Sequence, residues 1–189
     1  SVGSATVVQD GDQLGRIEFQ GMDGTDLETG ASILAVVDGT PGGNDMPAEL
    51  IFRTTADGAD GSTQHLAIRA NGLIEAANAV TAGTDTDTSN TGNVTLDFTA
   101  NQNFVLTLTG NTTLVNPTTE NVGQSGFITL IQDGTGSRTL AVGNQYFGPG
   151  GAVPTISTAA NSIDIIPYIV IAAGKILLGE AQLAFADAS

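Results

Sequence analysis

The sequence predicts an all-β fold built from two small antiparallel β modules, sandwich-like or jelly-roll-like, joined by a polar linker. Three observations predict it. Acid–glycine and amide–glycine pairs punctuate the chain: Asp10-Gly11, Asp23-Gly24, Asp38-Gly39, Asp57-Gly58, Asp60-Gly61, Asn71-Gly72 and Asp133-Gly134. Between these pairs, apolar and polar residues alternate with the period of a strand. The 189 residues include 25 glycines but only 5 lysines and arginines, a mixture that suits short strands and tight turns better than helices.

The turns have a mechanism. Asp and Asn bond their own main chain and tolerate left-handed backbone angles, while Gly takes positive φ without steric cost. Between them, Leu14–Phe19, Ala31–Val37, Glu49–Thr54 and His65–Arg69 read as strands of an N-terminal β module over residues 1–77. Alternation from Gly15 to Gln20 predicts one buried and one wet face. In the next run but one, Leu50, Phe52 and Thr54 point one way and Ile51 and Arg53 the other. Pro47 lies just ahead of that strand, where a missing amide donor does no harm.

Residues 78–93 shift to Thr, Asp, Ser, Asn and Gly. A segment so poor in apolar residues cannot offset its ordering entropy by burial, which predicts an extended linker. Residues 94–189 then form a C-terminal, sandwich-like β module. Val94–Phe98 alternates, and Phe104, Leu106 and Leu108 alternate against Val105, Thr107 and Thr109. Phe127–Ile131 is apolar on both faces, so neither should meet water; it belongs inside a sandwich or between subunits. Ile163–Phe185 divides at Ala173-Gly174-Lys175 into the two arms of a hairpin. A helix is rejected there because of the β-branched Ile165, Ile166, Ile169, Val170 and Ile171 and the interruption at Pro167. No fixed-period repeat and no heptad pattern is present, so any oligomer forms through β surfaces.

The formal net charge is −15 and the cations Arg16, Arg53, Arg69, Arg138 and Lys175 are scattered, which argues against a nucleic-acid partner. Mutual repulsion keeps such a chain soluble. Without cysteine there is no disulfide framework, no Cys-based zinc site and no thiol nucleophile. The longest uncharged apolar stretch, Ile165–Gly174, is far short of the ~20 residues of a spanning helix, so no membrane insertion is expected. Ser1 opens the chain without an initiator Met, which suggests a piece of a longer protein.

The chemistry of enzymes is poorly represented. His65 is the sole histidine and reads as an ordinary strand-end residue; Gly123-Gln124-Ser125-Gly126 is one residue short of a nucleophile elbow. The many carboxylates could serve a glycoside hydrolase, but almost any acidic β protein has as many, and sugar-stacking aromatics are few. Gly174-Lys175 lacks the Ser/Thr of a phosphate loop. Asp85–Gly92 is oxygen-rich, yet Asn90 and Leu96 occupy the positions where a calcium loop wants Gly and Glu, and the solvated-linker reading is preferred. No catalytic residue, cofactor or metal is therefore expected. The one candidate contact loop is Asn144, Gln145, Tyr146 and Phe147, continuing to Gly151; the competing and favoured reading is that Tyr146 and Phe147 plug one end of the C-terminal sheet.

Two stretches carry a resemblance. The first runs from Leu14-Gly15-Arg16-Ile17-Glu18-Phe19-Gln20-Gly21 through Val36-Val37-Asp38-Gly39-Thr40 and Leu50-Ile51-Phe52-Arg53-Thr54-Thr55-Ala56-Asp57-Gly58 to Asn71-Gly72. The second runs from Asn116-Pro117 through Gly123-Gln124-Ser125-Gly126 and Ile131-Gln132-Asp133-Gly134-Thr135-Gly136-Ser137-Arg138-Thr139-Leu140 to Ser157–Asp164. Together they cover most of the chain outside the linker and resemble segments of tail fibres and related virion proteins of tailed bacteriophages. The resemblance implies a structural role on the virion surface, an extended appendage used for reach, display or host attachment, and a homotrimer whose apolar strand faces pack together. It implies as partners the chain itself, other virion proteins and a host-surface receptor. It carries over no catalytic residue. Decoration of the capsid, as a head fibre that stabilises its surface, is the alternative; a polysaccharide depolymerase ranks below both, because the chain is short and interrupted by turns.

Overall fold

A computed structural model describes residues 6–186; the extreme ends of the two expected modules lie outside the described residues. The chain divides into two compact units, Ser1–Val80 and Thr81–Ser189. Both are β structures, and the only helical turn among the described residues is a short 3-10 turn at Pro149–Gly151.

The first unit is a five-stranded antiparallel meander of β1 (Gln13–Met22), β2 (Leu27–Val37), β3 (Ala48–Thr55), β4 (Ser62–Ile68) and β5 (Ile74–Ala76), paired in sequence order. The Asx–Gly pairs do what their chemistry requires. At the β1–β2 turn, Asp23 Oδ1 accepts the amides of Thr25 (2.6 Å) and Asp26 (3.0 Å), and Gly24 takes φ 109°. Between β4 and β5, Asn71 Oδ1 accepts the Leu73 amide at 2.9 Å. The expected strands Leu14–Phe19, Ala31–Val37 and Glu49–Thr54 fall inside observed ones, and His65–Arg69 does so except for Arg69, which lies just past the end of β4. The expected sandwich is not found: among its described residues this unit is a single sheet with no second layer.

The second unit is a mixed eight-stranded sheet. Its strands are β6 (Thr84–Thr95), β7 (Asn103–Val115), β8 (Ser125–Gln132), β9 (Leu140–Val142), β10 (Tyr146–Phe147), β11 (Ile163–Ala172), β12 (Lys175–Leu178) and β13 (Gln182–Phe185). The order is β10-β12-β11-β8-β7-β6, with β9 beside β7 and β13 beside β11. Two expectations are corrected here. The polar run 78–93 is not a linker along most of its length, because residues 84–95 form β6 and pair with β7. The module is also not purely antiparallel: β6–β7, β7–β8, β7–β9 and β10–β12 are parallel.

β6 forms without apolar burial because an edge strand needs only a neighbour for its backbone. Its buried Asn90 fastens it to β7: Nδ2 donates to Thr107 O (3.2 Å), while the hydroxyls of Thr109 and Thr112 donate back to Asn90 O. Gly110 permits the close approach, since a Cβ there would collide with Thr91 Oγ1. The predicted hairpin arms are present as β11 and β12, turning at Gly174 (φ 66°). The second arm breaks after Leu178, and β13 resumes pairing further down β11. Pro167 explains how a proline sits in a central strand. Its partner Phe127 donates its amide to Asn103 Oδ1 on the far side, so the two residues face each other as a non-bonded pair. The absent N–H of Pro167 thus falls on the flank where β12 gives way to β13.

The core lies on the inner face of this second sheet. Phe104, Leu106 and Leu108 from β7, Ile128 and Leu130 from β8, and Ile166, Tyr168 and Val170 from β11 are all buried, in the alternation the sequence displays. Phe98 and Phe104 meet edge to face with centroids 5.1 Å apart, and Phe98 and Tyr168 do so at 5.2 Å. The Tyr168 hydroxyl leaves this cluster satisfied, donating to Gln102 O at 2.6 Å.

Candidate functional site

The register of the first sheet sorts its side chains into two chemically opposite faces. Residues opposed across strands share a face. One row across all five strands is Ile17, Ile33, Phe52, Leu66 and Ala76; the next is Gly15, Ala35, Leu50, Ile68 and Ile74. Neither row contains a charged or polar side chain. Several of these residues are exposed, Ile17 at 59% and Ile74 at 68%, as is Phe19 in the adjoining row at 54%, while Ile33, Phe52 and Leu66 are half-buried.

The opposite face holds the charges. Arg16 pairs with Glu18, and Arg69 binds both Glu49 and Glu75 at 2.6 Å. Its centre is closed by the buried Ser32, Leu34, Ile51 and Ala67. Alternation in the sequence predicted a sheet with one buried and one wet face. The alternation is present, but among the described residues of its own unit the apolar face has no layer over it.

The second sheet repeats the theme on its outer side. Phe127 opposes Pro167, Ile163 opposes both Ile131 and Phe185, and Ile169 opposes Leu177, which opposes Phe147. No carboxylate stands among them, and Lys175 sits at the hairpin end. Phe127 is 50% exposed and Ile171 49%. The two-sided apolar character of Phe127–Ile131 is therefore resolved as Ile128 and Leu130 in the core and Phe127 on the outer face.

The contact-loop residues are split by the same alternation. Tyr146 is buried in the core, where desolvation and then the nearby Glu120 carboxylate push its phenol well above the ordinary value. Phe147 points outward into the apolar outer face. Asn144 Oδ1 accepts from Asn116 Nδ2 at 2.7 Å, and the Gln145 amide donates to Asn116 Oδ1 at 3.1 Å. The favoured packing reading thus describes Tyr146.

Other polar groups are engaged locally. The ring nitrogens of His65 face Thr63 Oγ1 (3.4 Å) and Asn78 Nδ2 (3.1 Å). The oxygen-rich run Asp85–Gly92 is extended along β6 and is not gathered into a loop. Asp23, Asp26 and Glu28 converge at the exposed β1–β2 turn instead. There the backbone amides of Asp26 and Thr25 lower the Asp23 carboxyl, and repulsion from Asp26 raises that of Glu28. An open depression of about 500 Å³ is lined by Phe98, Asn101, Gln102, Asn121 and Gln124. Its amide donors are committed within the fold: Gln124 Nε2 to Asn101 O, Gln102 Nε2 to Ser125 O, and Asn121 Nδ2 to Phe98 O. Asp133 is held below the usual carboxylate range by the Arg138 guanidinium and the Gly136 amide.

Residues 90–175 match a family model described as "Putative phage tail fibre C-terminal domain". The matched span starts within β6, ends at the first residue of β12, and lies wholly inside the second unit. No curated protein matches the chain.

Proposed function

We propose, on a match that supports a phage tail fibre protein, that the chain is a structural, non-enzymatic segment of a tail fibre or similar appendage. It stands on the surface of the particle as a homotrimer, in contact with other virion proteins, and serves reach, display and host attachment. The observation that carries this reading is the matched sheet itself. It encloses a buried apolar core on one side and presents, on the other, an uncharged apolar face through Phe127, Ile169, Leu177 and Phe147. A soluble monomer rarely keeps such a face open, whereas a repeated virion component covers it with its neighbours.

The match weighs toward the tail over the capsid surface. Two measurements test the reading. Light scattering of the purified chain should return about three times the chain mass of 19.0 kDa, and antibody labelling of intact particles should decorate the tail. A stable monomer removes the trimer, and labelling confined to the head removes the fibre. Incubation with capsular and cell-wall glycans should release no product; hydrolysis abolished by a single carboxylate substitution would make the chain an enzyme.

A further inference from the structure

The first unit lies outside the matched span, and its geometry assigns it a task of its own. We infer that the apolar face of the β1–β5 sheet is where copies of this chain meet, sheet against sheet, with the ion-paired face turned outward. This rests on the reading of the chain as a self-assembling fibre segment and adds which surface does the assembling.

Four observations carry it. First, the face is large. Taking roughly 200 Å² for a large apolar side chain, the exposed fractions of Ile17, Phe19, Leu50, Ile68 and Ile74 leave on the order of 500 Å² uncovered. Three such faces meeting about the axis of the trimer bury on the order of 1,500 Å² in all, above the ~1,000 Å² at which specific interfaces begin.

Second, charge selects the occupant. A chain of net charge −15 repels its own copies wherever carboxylates are displayed. The rows through Ile17 and Leu50 display none; Glu28, opposite Gly21, stands only at the β1–β2 turn end of this side, and Arg16, Glu18, Glu49, Arg69 and Glu75 are gathered on the opposite one. A strongly charged partner would find nothing to pair with along those rows.

Third, the relief is self-complementary. Small residues, Gly15, Ala31, Ala35 and Ala76, lie among the large ones in the same rows, so the side chains of one sheet can enter the gaps of an identical sheet as facing β-layers do. Fourth, a single-layer sheet is not an independent structure. An apolar sheet face must be covered by a second layer to be stable in water, and the described residues of this unit supply none.

The absence of cysteine permits a clean test on the full-length chain. Ile17→Cys, Leu50→Cys and Ile74→Cys probe the apolar face; Arg16→Cys, Glu18→Cys and Glu75→Cys probe the other. A short bismaleimide should join copies through the first set and leave the second set as single chains on a denaturing gel. An oligomer that cross-links only through the charged face, or through neither, overturns the inference while the fibre reading stands. A chain that stays monomeric in light scattering overturns both.

A second pair of variants guards against misfolding. Ile17→Asp and Phe19→Asp change exposed positions on the edge strand, where an isolated chain tolerates them. With circular dichroism unchanged, they should weaken association about tenfold or more. Association unaffected by either variant overturns the inference.

Discussion

Phe104→Ala is the substitution that most directly tests the inner core. Phe104 lies on β7 with no exposed surface; its ring stands 5.1 Å from Phe98 and 6.3 Å from Tyr168. Truncation removes a fully buried ring and leaves a cavity that strands on both sides, β6 and β8, hold open. The expected cost is about 3–5 kcal/mol, against about 5–15 kcal/mol for the whole stability of a domain. The midpoint of thermal unfolding should fall by roughly 12–30 °C. The chain provides its own reporter: it has no Trp and two Tyr, both buried in this unit, so tyrosine fluorescence in urea follows the second unit alone. Val105→Ala, on the opposite side of the same strand, is the control and should cost under about 1.5 kcal/mol. If the two costs exchange, β7 is turned over by one residue, and the inward alternation of Phe104, Leu106 and Leu108 is refuted.

Three further outcomes are expected. Gln132 is buried and donates through Nε2 to Arg138 O and Ser157 O while Oε1 accepts the Arg138 amide, all at 2.9 Å; Gln132→Leu should cost about 2–4 kcal/mol and release the Arg138 amide to rapid hydrogen exchange, and an unchanged exchange rate would deny that bridge. Burial pushes the Tyr168 phenol up to about 12, and Tyr146 is also raised. Because the folded state holds both phenols neutral, their contribution is intact below the unfolded value of about 10 and is lost as pH rises from there through the folded values; phenolate absorbance should therefore appear late and together with unfolding, and ionisation near pH 10 with native circular dichroism would contradict it. Raising salt from about 0.01 to 0.5 M should strengthen self-association by screening the −15 charge; weakening would mean that ion pairs and not apolar faces join the copies.

The parts of the fold legible in the sequence are those set by local chemistry. Asp23-Gly24 and Asn71-Gly72 specify their turns through side chains that bond amides two or three residues on, so the meander could be read almost strand by strand. Two features resisted reading because their cause is not local. Residues 84–95 carry little that packing could bury, yet an edge strand is held by backbone bonds to β7 and by Asn90; the β-branched threonines are the one signal that could have revealed it. The parallel order of β6 and β7 was hidden by their short connection. Parallel neighbours ordinarily need a dozen or more residues between them, and here residues 96–102 suffice. Leu96 and Phe98 drop into the core within that span, while Asp97 Oδ1 closes the turn on the amides of Thr99 and Ala100. For the candidate site, alternation announced an apolar face on the first sheet, but no residue pattern states whether the layer that covers a face comes from the same chain.

The two units answer that requirement in opposite ways, and acidity connects them. In the second, buried side chains from Leu96 to Leu178 form one cluster, so its sheet encloses its own core and exposes only the outer row through Phe127 and Leu177. In the first, Leu34, Val37, Ile51 and Ala67 are the only buried hydrophobic residues among those described, too few to offset the ordering of five strands. The open apolar rows, through Ile17 and Leu50 on the first sheet and through Phe127 and Leu177 on the second, hold no carboxylate, and the rest of the surface carries them in excess. Apolar attraction is non-directional and would by itself permit many arrangements of two sticky faces. Repulsion elsewhere removes most of those arrangements, leaving contacts that align one uncharged face with another. On the inferred face-to-face assembly, the net charge of −15 is also what gives the apolar faces specificity, and neutralising surface carboxylates would broaden association instead of merely increasing it.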